Sequence, residues 1–184
     1  MTQHTNPWKT LSIKKLFESP WIELEVHDVI NPAGNKGMYN IVKFKHLAIG
    51  ILPIDDKGFT YLVGQWRYPL NQYSWEIPEG GGKLNISPLE SAQRELLEET
   101  GLVAQHYEEL LRLHTSNSVT NELAIVFLAT GLKQKQAMPE ETEDIIVKKI
   151  HLKDALQMVM NNEITDSISV ASILKAAIKL GYAY

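Results

Sequence analysis

Three carboxylates and a guanidinium fall within one short stretch, Arg94-Glu95-Leu96-Leu97-Glu98-Glu99. On a helix, residues three and four apart share a side, so Glu95, Glu98 and Glu99 crowd together. Like charges at that spacing are mildly destabilising, and the helix dipole disfavours anions toward the C-terminal end. Stability alone does not select such an arrangement. Clustered carboxylate oxygens are what hard divalent cations require, Mg2+ above all and Mn2+ after it. Just upstream, Glu79-Gly80-Gly81-Gly82 reads as a loop whose backbone can approach a ligand closely. Together they make a workable site for metal-bridged phosphates. The competing reading is a solvated acidic helix with a flexible lead-in; the coincidence of glycines, helix-start signals and three carboxylates weighs against it.

The elements that must position these groups are legible around them. Ser87 is a good N-cap, Pro88 suits the first helical position, and Glu90 completes an S-x-x-E capping box. Gly101 can close the helix in the left-handed conformation. Ahead of the helix the chain reads as strands. Ile22, Leu24 and Val26 alternate with Glu23, Glu25 and His27, and a turn-rich Asn31–Gly37 leads into a second strand, Tyr39–Lys45. Strands at Leu47–Ile54 and Phe59–Gln65 flank a plausible hairpin turn, Asp55-Asp56-Lys57-Gly58. Further strands are expected at Tyr107–His114, Leu123–Ala129 and Ile145–Leu152, followed by helices over Leu152–Asn161 and Ile168–Leu180. Antiparallel strands with few helices predict an α+β fold, with residues 1–45 a small antiparallel β unit and 46–184 the main domain.

Composition narrows the class. The 184 residues suit one domain with a small appendage, and they contain no cysteine, which removes thiol nucleophiles and cysteine zinc sites. Eighteen basic against 22 acidic residues give a net charge of −4, which argues against nucleic acid as a partner. An anionic small substrate stays compatible when bound cations offset the repulsion. The polar start MTQHTNPWKT lacks a secretory signal, and apolar runs such as Leu123–Ala129 fall short of a membrane span, so a cytoplasmic protein without membrane contact is expected.

The stretch from Gly80 to Leu102, GGGKLNISPLESAQRELLEETGL, resembles the Nudix box, G-x5-E-x7-R-E-U-x-E-E-x-G-U with U a bulky aliphatic residue. Gly80, Arg94, Glu95, Leu96, Glu98, Glu99, Gly101 and Leu102 match in register; the first box glutamate is replaced by Ile86. The resemblance implies an α/β/α sandwich with a mixed sheet and metal-dependent hydrolysis of a diphosphate. It also implies that Glu95 and Glu99 coordinate the cations, with Glu98 acting through water and the Glu79 carbonyl joining them. Arg94 would orient the carboxylates. The box glutamate that Ile86 replaces usually supports the arginine, so activity is expected without it.

Beyond the box the chain resembles the nucleoside diphosphate sugar branch, including the ADP-ribose pyrophosphatases. Gln65-Trp66-Arg67 matches that branch's Q-[FYW]-R segment and implies substrate contacts by Trp66 and Arg67, the latter binding diphosphate. The branch's S-P-G and following acidic residue fall on Ser116-Asn117-Ser118 and Glu122, so the proline is absent and the acidic position kept. ADP-ribose and GDP-mannose lead as substrates. The general base of the branch lies in the loop occupied here by Glu140-Glu141-Thr142-Glu143-Asp144, with Glu141 first and Glu140 and Glu143 close behind. Its N-terminal β unit exchanges contacts with a partner subunit, which implies a homodimer. Two other readings stand beside this one: a Nudix hydrolase of nucleoside triphosphates or dinucleoside polyphosphates, and a non-catalytic nucleotide-sugar sensor.

Overall fold

A computed structural model describes residues 4–135 and 144–182. The chain divides into two compact units, the first comprising residues up to His46 with Ser116–Glu122, the second Leu47–Thr115 with Leu123 onward.

The first unit is an antiparallel meander of β1 (Lys9–Glu18), β2 (Ile22–Ile30) and β3 (Lys36–Phe44). Asn31 organises the β2–β3 reversal, its Oδ1 accepting from the Ala33 and Asn35 amides at 3.0 Å, while Gly34 adopts φ +84°. That left-handed conformation is one glycine takes without strain. The excursion 116–122 is fastened to β3 by Val42 N–H to the Val119 carbonyl at 3.0 Å and by Phe44 N–H to Asn121 Oδ1 at 2.6 Å. Strand β1 was not expected. Its pairing with β2 is irregular at Leu11 and again at Leu16, and each bulge breaks the alternation that would betray a strand.

The second unit is built on a mixed sheet in the order β7-β4-β10-β9, from β4 (His46–Pro53), β7 (Glu79–Lys83), β9 (His106–His114) and β10 (Leu123–Thr130). Strands β10 and β4 run parallel, β10 and β9 antiparallel. The unbroken apolar run of β10 is explained by burial on both faces. Ala124, Val126 and Leu128 enter one core, and Ile125, Phe127 and Ala129 enter the other. Helix α1 (Pro88–Thr100) covers the second core through Ala92 and Leu96, while α2 (Leu152–Met160) and α3 (Ser167–Lys179) cover the first. A three-stranded antiparallel sheet of β12 (Ile146–His151), β5 (Phe59–Arg67) and β6 (Gln72–Glu76) and a short pair, β8 (Leu102–Val103) with β11 (Lys133–Gln134), complete the unit. The result is the expected α+β sandwich with a mixed central sheet.

Three local expectations are corrected. The segment Glu79–Gly82 is not a loop but most of strand β7. The turn at Asp55–Gly58 forms, with Gly58 at φ +80°, but β4 and β5 meet only at Ile54–Thr60 and then join different sheets. The capping box is not made: Ser87 contributes its carbonyl to Ser91 N–H at 3.1 Å, and its side chain makes no capping bond. Pro88 at the start and Gly101 at φ +69° do delimit α1, as its sequence suggests.

Candidate active site

Helix α1 turns Glu95 and Glu99 inward, at 6% and 3% exposure, while Glu98 is half-buried. Two buried carboxylates on the face that also carries Ala92 and Leu96 are costly unless something compensates them. Strand β7 lies directly beneath. The Glu79 amide donates to Glu99 Oε2 at 3.0 Å. A Cβ at Gly80 would stand 2.4 Å from Glu95 Oε1, and one at Gly82 would stand 2.6 Å from Ile49 Cγ1. Gly80 serves close approach of the strand to the helix, and Gly82 its close approach to Ile49 of β4, not flexibility.

Arg94 holds the carboxylates from the outer side. Its Nη1 donates to Glu98 Oε2 at 2.6 Å, and its Nη2 donates to Glu95 Oε1 and to the Gly81 carbonyl, the latter at 3.2 Å. The missing box glutamate is accommodated: Arg94 has three partners without it, and Ile86 sits in the turn before α1, 39% exposed. Burial works against the charge on Arg94, yet Glu95 and Glu98 more than offset it and raise its pKa.

A second guanidinium closes the other end. Arg67, at the end of β5, donates from Nε to both oxygens of Glu76 at 3.0 Å, and from Nη2 to Glu76 and to Glu79 Oε1, the latter at 3.2 Å. Glu76 is 3% exposed, and its hydrogen bonds raise the pKa of Arg67. Burial pushes the Glu79 carboxyl well above the usual carboxylate range, and the charges of Asp166, Glu76 and Glu99 reinforce the shift. Asp166 is the N-cap of α3, accepting from Ser169 N–H at 2.7 Å, and Ser169 Oγ in turn accepts the Ile77 amide at 2.9 Å. Sequence reasoning missed Glu76 and Asp166. For Glu76 a signal exists: Ser74 and Glu76 occupy the buried phase of β6, where a charged residue calls for a partner.

Glu79, Glu95, Glu98, Glu99, Arg94 and Arg67 therefore meet in one place. Trp66 precedes Arg67 on β5 and is 59% exposed. Glu122 is half-buried in the first unit. Glu140, Glu141 and Glu143 lie outside the described residues.

Glu76, Glu79, Glu95 and Glu98 share two guanidinium groups, and Glu99 accepts the Glu79 amide, so carboxylates outnumber cationic side chains in a cluster suited to cations. Among the described residues no three acidic or histidine side chains stand with donor atoms already set for a metal ion. The carboxylates are directed instead to Arg94 and to the β7 backbone. One oxygen of Glu79, Oε2, is buried without a hydrogen-bond partner, and the crowding at Gly80 leaves the Glu95 carboxylate against backbone. An oxygen donor set of this kind has the chemistry that a hard divalent cation requires.

A family model for the NUDIX domain matches residues 44–166 of this chain. The chain belongs to the Nudix family. An ADP-ribose pyrophosphatase of Bacillus subtilis (strain 168) is 34% identical over 167 residues, 90% of each chain. A methanol dehydrogenase activator of Bacillus methanolicus is 30% identical over the same coverage, 90% of each. A crystal structure of an ADP compounds hydrolase superposes with a TM-score of 0.86 over 98% of both chains at 19% identity, a likeness of fold. The Nudix helix of this chain is α1, and the strand beneath it is β7.

Proposed function

We propose that this Nudix hydrolase cleaves the diphosphate of a nucleoside diphosphate sugar, ADP-ribose first and GDP-mannose second, to a nucleoside monophosphate and a sugar phosphate. The observation that carries the reading is the carboxylate face of α1, set against a glycine-bearing strand and held by Arg94, with Arg67 on Glu79 of that strand. The relative named as an ADP-ribose pyrophosphatase supports the choice of substrate.

Glu95, Glu99 and the Glu79 carbonyl would hold Mg2+, or Mn2+ in its place, with Glu98 acting through water. A divalent cation there supplies neutralisation of the diphosphate charge and acidifies a water. Arg94 keeps Glu95 and Glu98 oriented. Arg67 commits Nε and Nη2 to Glu76 and Glu79, and its Nη1 edge is assigned to the diphosphate. Trp66 and Glu122 are assigned to the substrate. Glu141, with Glu140 and Glu143 as neighbours, accepts the proton as the water oxygen bonds to phosphorus and the anhydride P–O bond breaks.

The first 45 residues are proposed as the dimerisation unit and 46–184 as the hydrolase domain of a cytoplasmic homodimer. Strand β1 supports this: Leu11, Ile13, Leu16 and Phe17 are about half exposed or more, on an open sheet edge. A second reading, a nucleotide-sugar sensor, is favoured by Ile86 and by the relative named as an activator. The deciding experiment is hydrolysis of a panel of nucleotide sugars with and without Mg2+, with products identified. Turnover that EDTA abolishes supports the enzyme; binding without turnover supports the sensor.

A further inference from the structure

The outer flank of the Nudix helix carries a groove that the metal and diphosphate assignments leave unused. Gln93, Arg94, Leu97 and Glu98 of α1 form one wall, and Val103 and Ala104 with Tyr107 of β9 form the other. It encloses about 500 Å³, within the range of clefts that hold small ligands. It is continuous with the site described above, because Arg94 and Glu98 belong to both.

The chemistry of its walls is selective. Leu97, Val103 and Ala104 are half-buried and offer an apolar floor. Arg94 is committed to Glu95, Glu98 and the Gly81 carbonyl, so its guanidinium is occupied by protein acceptors. The uncharged polar groups are the Gln93 amide and the Tyr107 hydroxyl. Tyr107 Oη accepts the Ala104 amide at 3.2 Å, which leaves its own proton to donate. Burial raises the Tyr107 pKa, so that proton is retained at neutral pH. Among the groove-lining residues Tyr107 provides the only ring, so a base sandwiched between two aromatic faces finds no second face there. An occupant with an apolar C–H face, several hydroxyls and no charge is a sugar ring.

We propose that this groove takes the terminal sugar of the nucleotide-sugar substrate, with Gln93 and Tyr107 bonding its hydroxyls while the diphosphate lies over Glu98 and its neighbours. The inference rests on the nucleotide-sugar reading. It makes Gln93 and Tyr107 determinants of sugar preference and leaves the base to be read elsewhere.

The test uses the full chain with Mg2+ and three substrates: ADP-ribose, ADP-glucose and GDP-glucose. Gln93→Ala changes an exposed position, and Tyr107→Phe keeps the ring. In each variant the ratio of kcat/KM for ADP-ribose over ADP-glucose is expected to shift by roughly threefold to tenfold, the span of one net hydrogen bond. The ratio for ADP-glucose over GDP-glucose is expected to stay within about twofold of wild type, since no base contact is lost. Leu97→Trp, which fills the groove, should raise KM for both ADP-sugars. A shift in the base ratio instead would assign the groove to the nucleobase and overturn the proposal. An unchanged ADP-ribose over ADP-glucose ratio in Gln93→Ala, together with unchanged KM for both ADP-sugars in Leu97→Trp, would overturn it even if Tyr107→Phe failed to fold. Wild-type protein that cleaves none of the three substrates would refute the nucleotide-sugar reading itself, before any variant is made.

Discussion

Gly80→Ala isolates the packing of strand β7 on the Nudix helix. The added Cβ would lie 2.4 Å from Glu95 Cδ and Oε1 and 2.5 Å from Oε2, where ordinary contact begins at 3.4 Å. The methyl and the carboxylate must therefore separate by about 1 Å. Gly80 is not among the residues with positive φ, so alanine suffers no backbone strain there and the effect comes from the methyl alone. Glu95 is 6% exposed and held by Arg94, so its carboxylate moves within the cluster and not out into solvent. Displacing a catalytic group by about 1 Å costs on the order of 10²-fold in rate. Overpacking of this kind costs about 1–3 kcal/mol, a fall of several degrees in Tm for a chain this size. The assay is kcat on ADP-ribose across a Mg2+ titration, with Tm by calorimetry. The expected result is kcat lowered about 100-fold and the half-saturating Mg2+ concentration raised, with the protein still folded. A folded variant with kcat within about threefold of wild type would refute the placement of Glu95 among the working carboxylates.

Ile86→Glu should change kcat only a few-fold, because Arg94 already has three partners; a gain of several orders of magnitude on nucleotide sugars would show the wild type to be a sensor. Glutamine at the true base among Glu140, Glu141 and Glu143 should lower kcat by roughly 10²–10⁴ with little change in metal affinity, and near-normal kcat in all three variants would place the base elsewhere. Sedimentation should give a dimer for the full chain and monomers after removal of residues 1–45; a monomeric full chain would sink the dimer proposal.

The Nudix helix could be read from the sequence because its signals are local: Pro88 and Gly101 act on their own turns, and Glu95, Glu98 and Glu99 follow from spacing on one helix. Strand β10 was equally plain, since a strand buried on both faces shows a continuous apolar run. Strand β1 was hidden by two bulges that shift its alternation out of phase. Strand β7 reads as a loop in the sequence because three consecutive glycines suggest freedom, whereas Gly80 and Gly82 mark the approach of Glu95 and Ile49. Glu76 and Asp166 escaped because what defines them is pairing across the fold. Glu76 meets Arg67 across the β5–β6 ladder, and Asp166 reaches Glu79 electrostatically from the start of α3. Arg67 was found by resemblance, but its engagement with two buried carboxylates could not be seen without the fold.

The carboxylate face of α1 is proposed to perform Mg2+-dependent hydrolysis of a nucleotide sugar. Glu99 is its most deeply buried member, 3% exposed, and accepts the β7 amide that joins the two elements. The direct measurement is product formation from ADP-ribose by wild type and Glu99→Gln, with Tm recorded on the same samples. The wild type is expected to give AMP and ribose 5-phosphate, and Glu99→Gln to lose turnover by roughly 10³-fold or more, with nearly equal Tm values. Turnover in Glu99→Gln within a few-fold of wild type would contradict it.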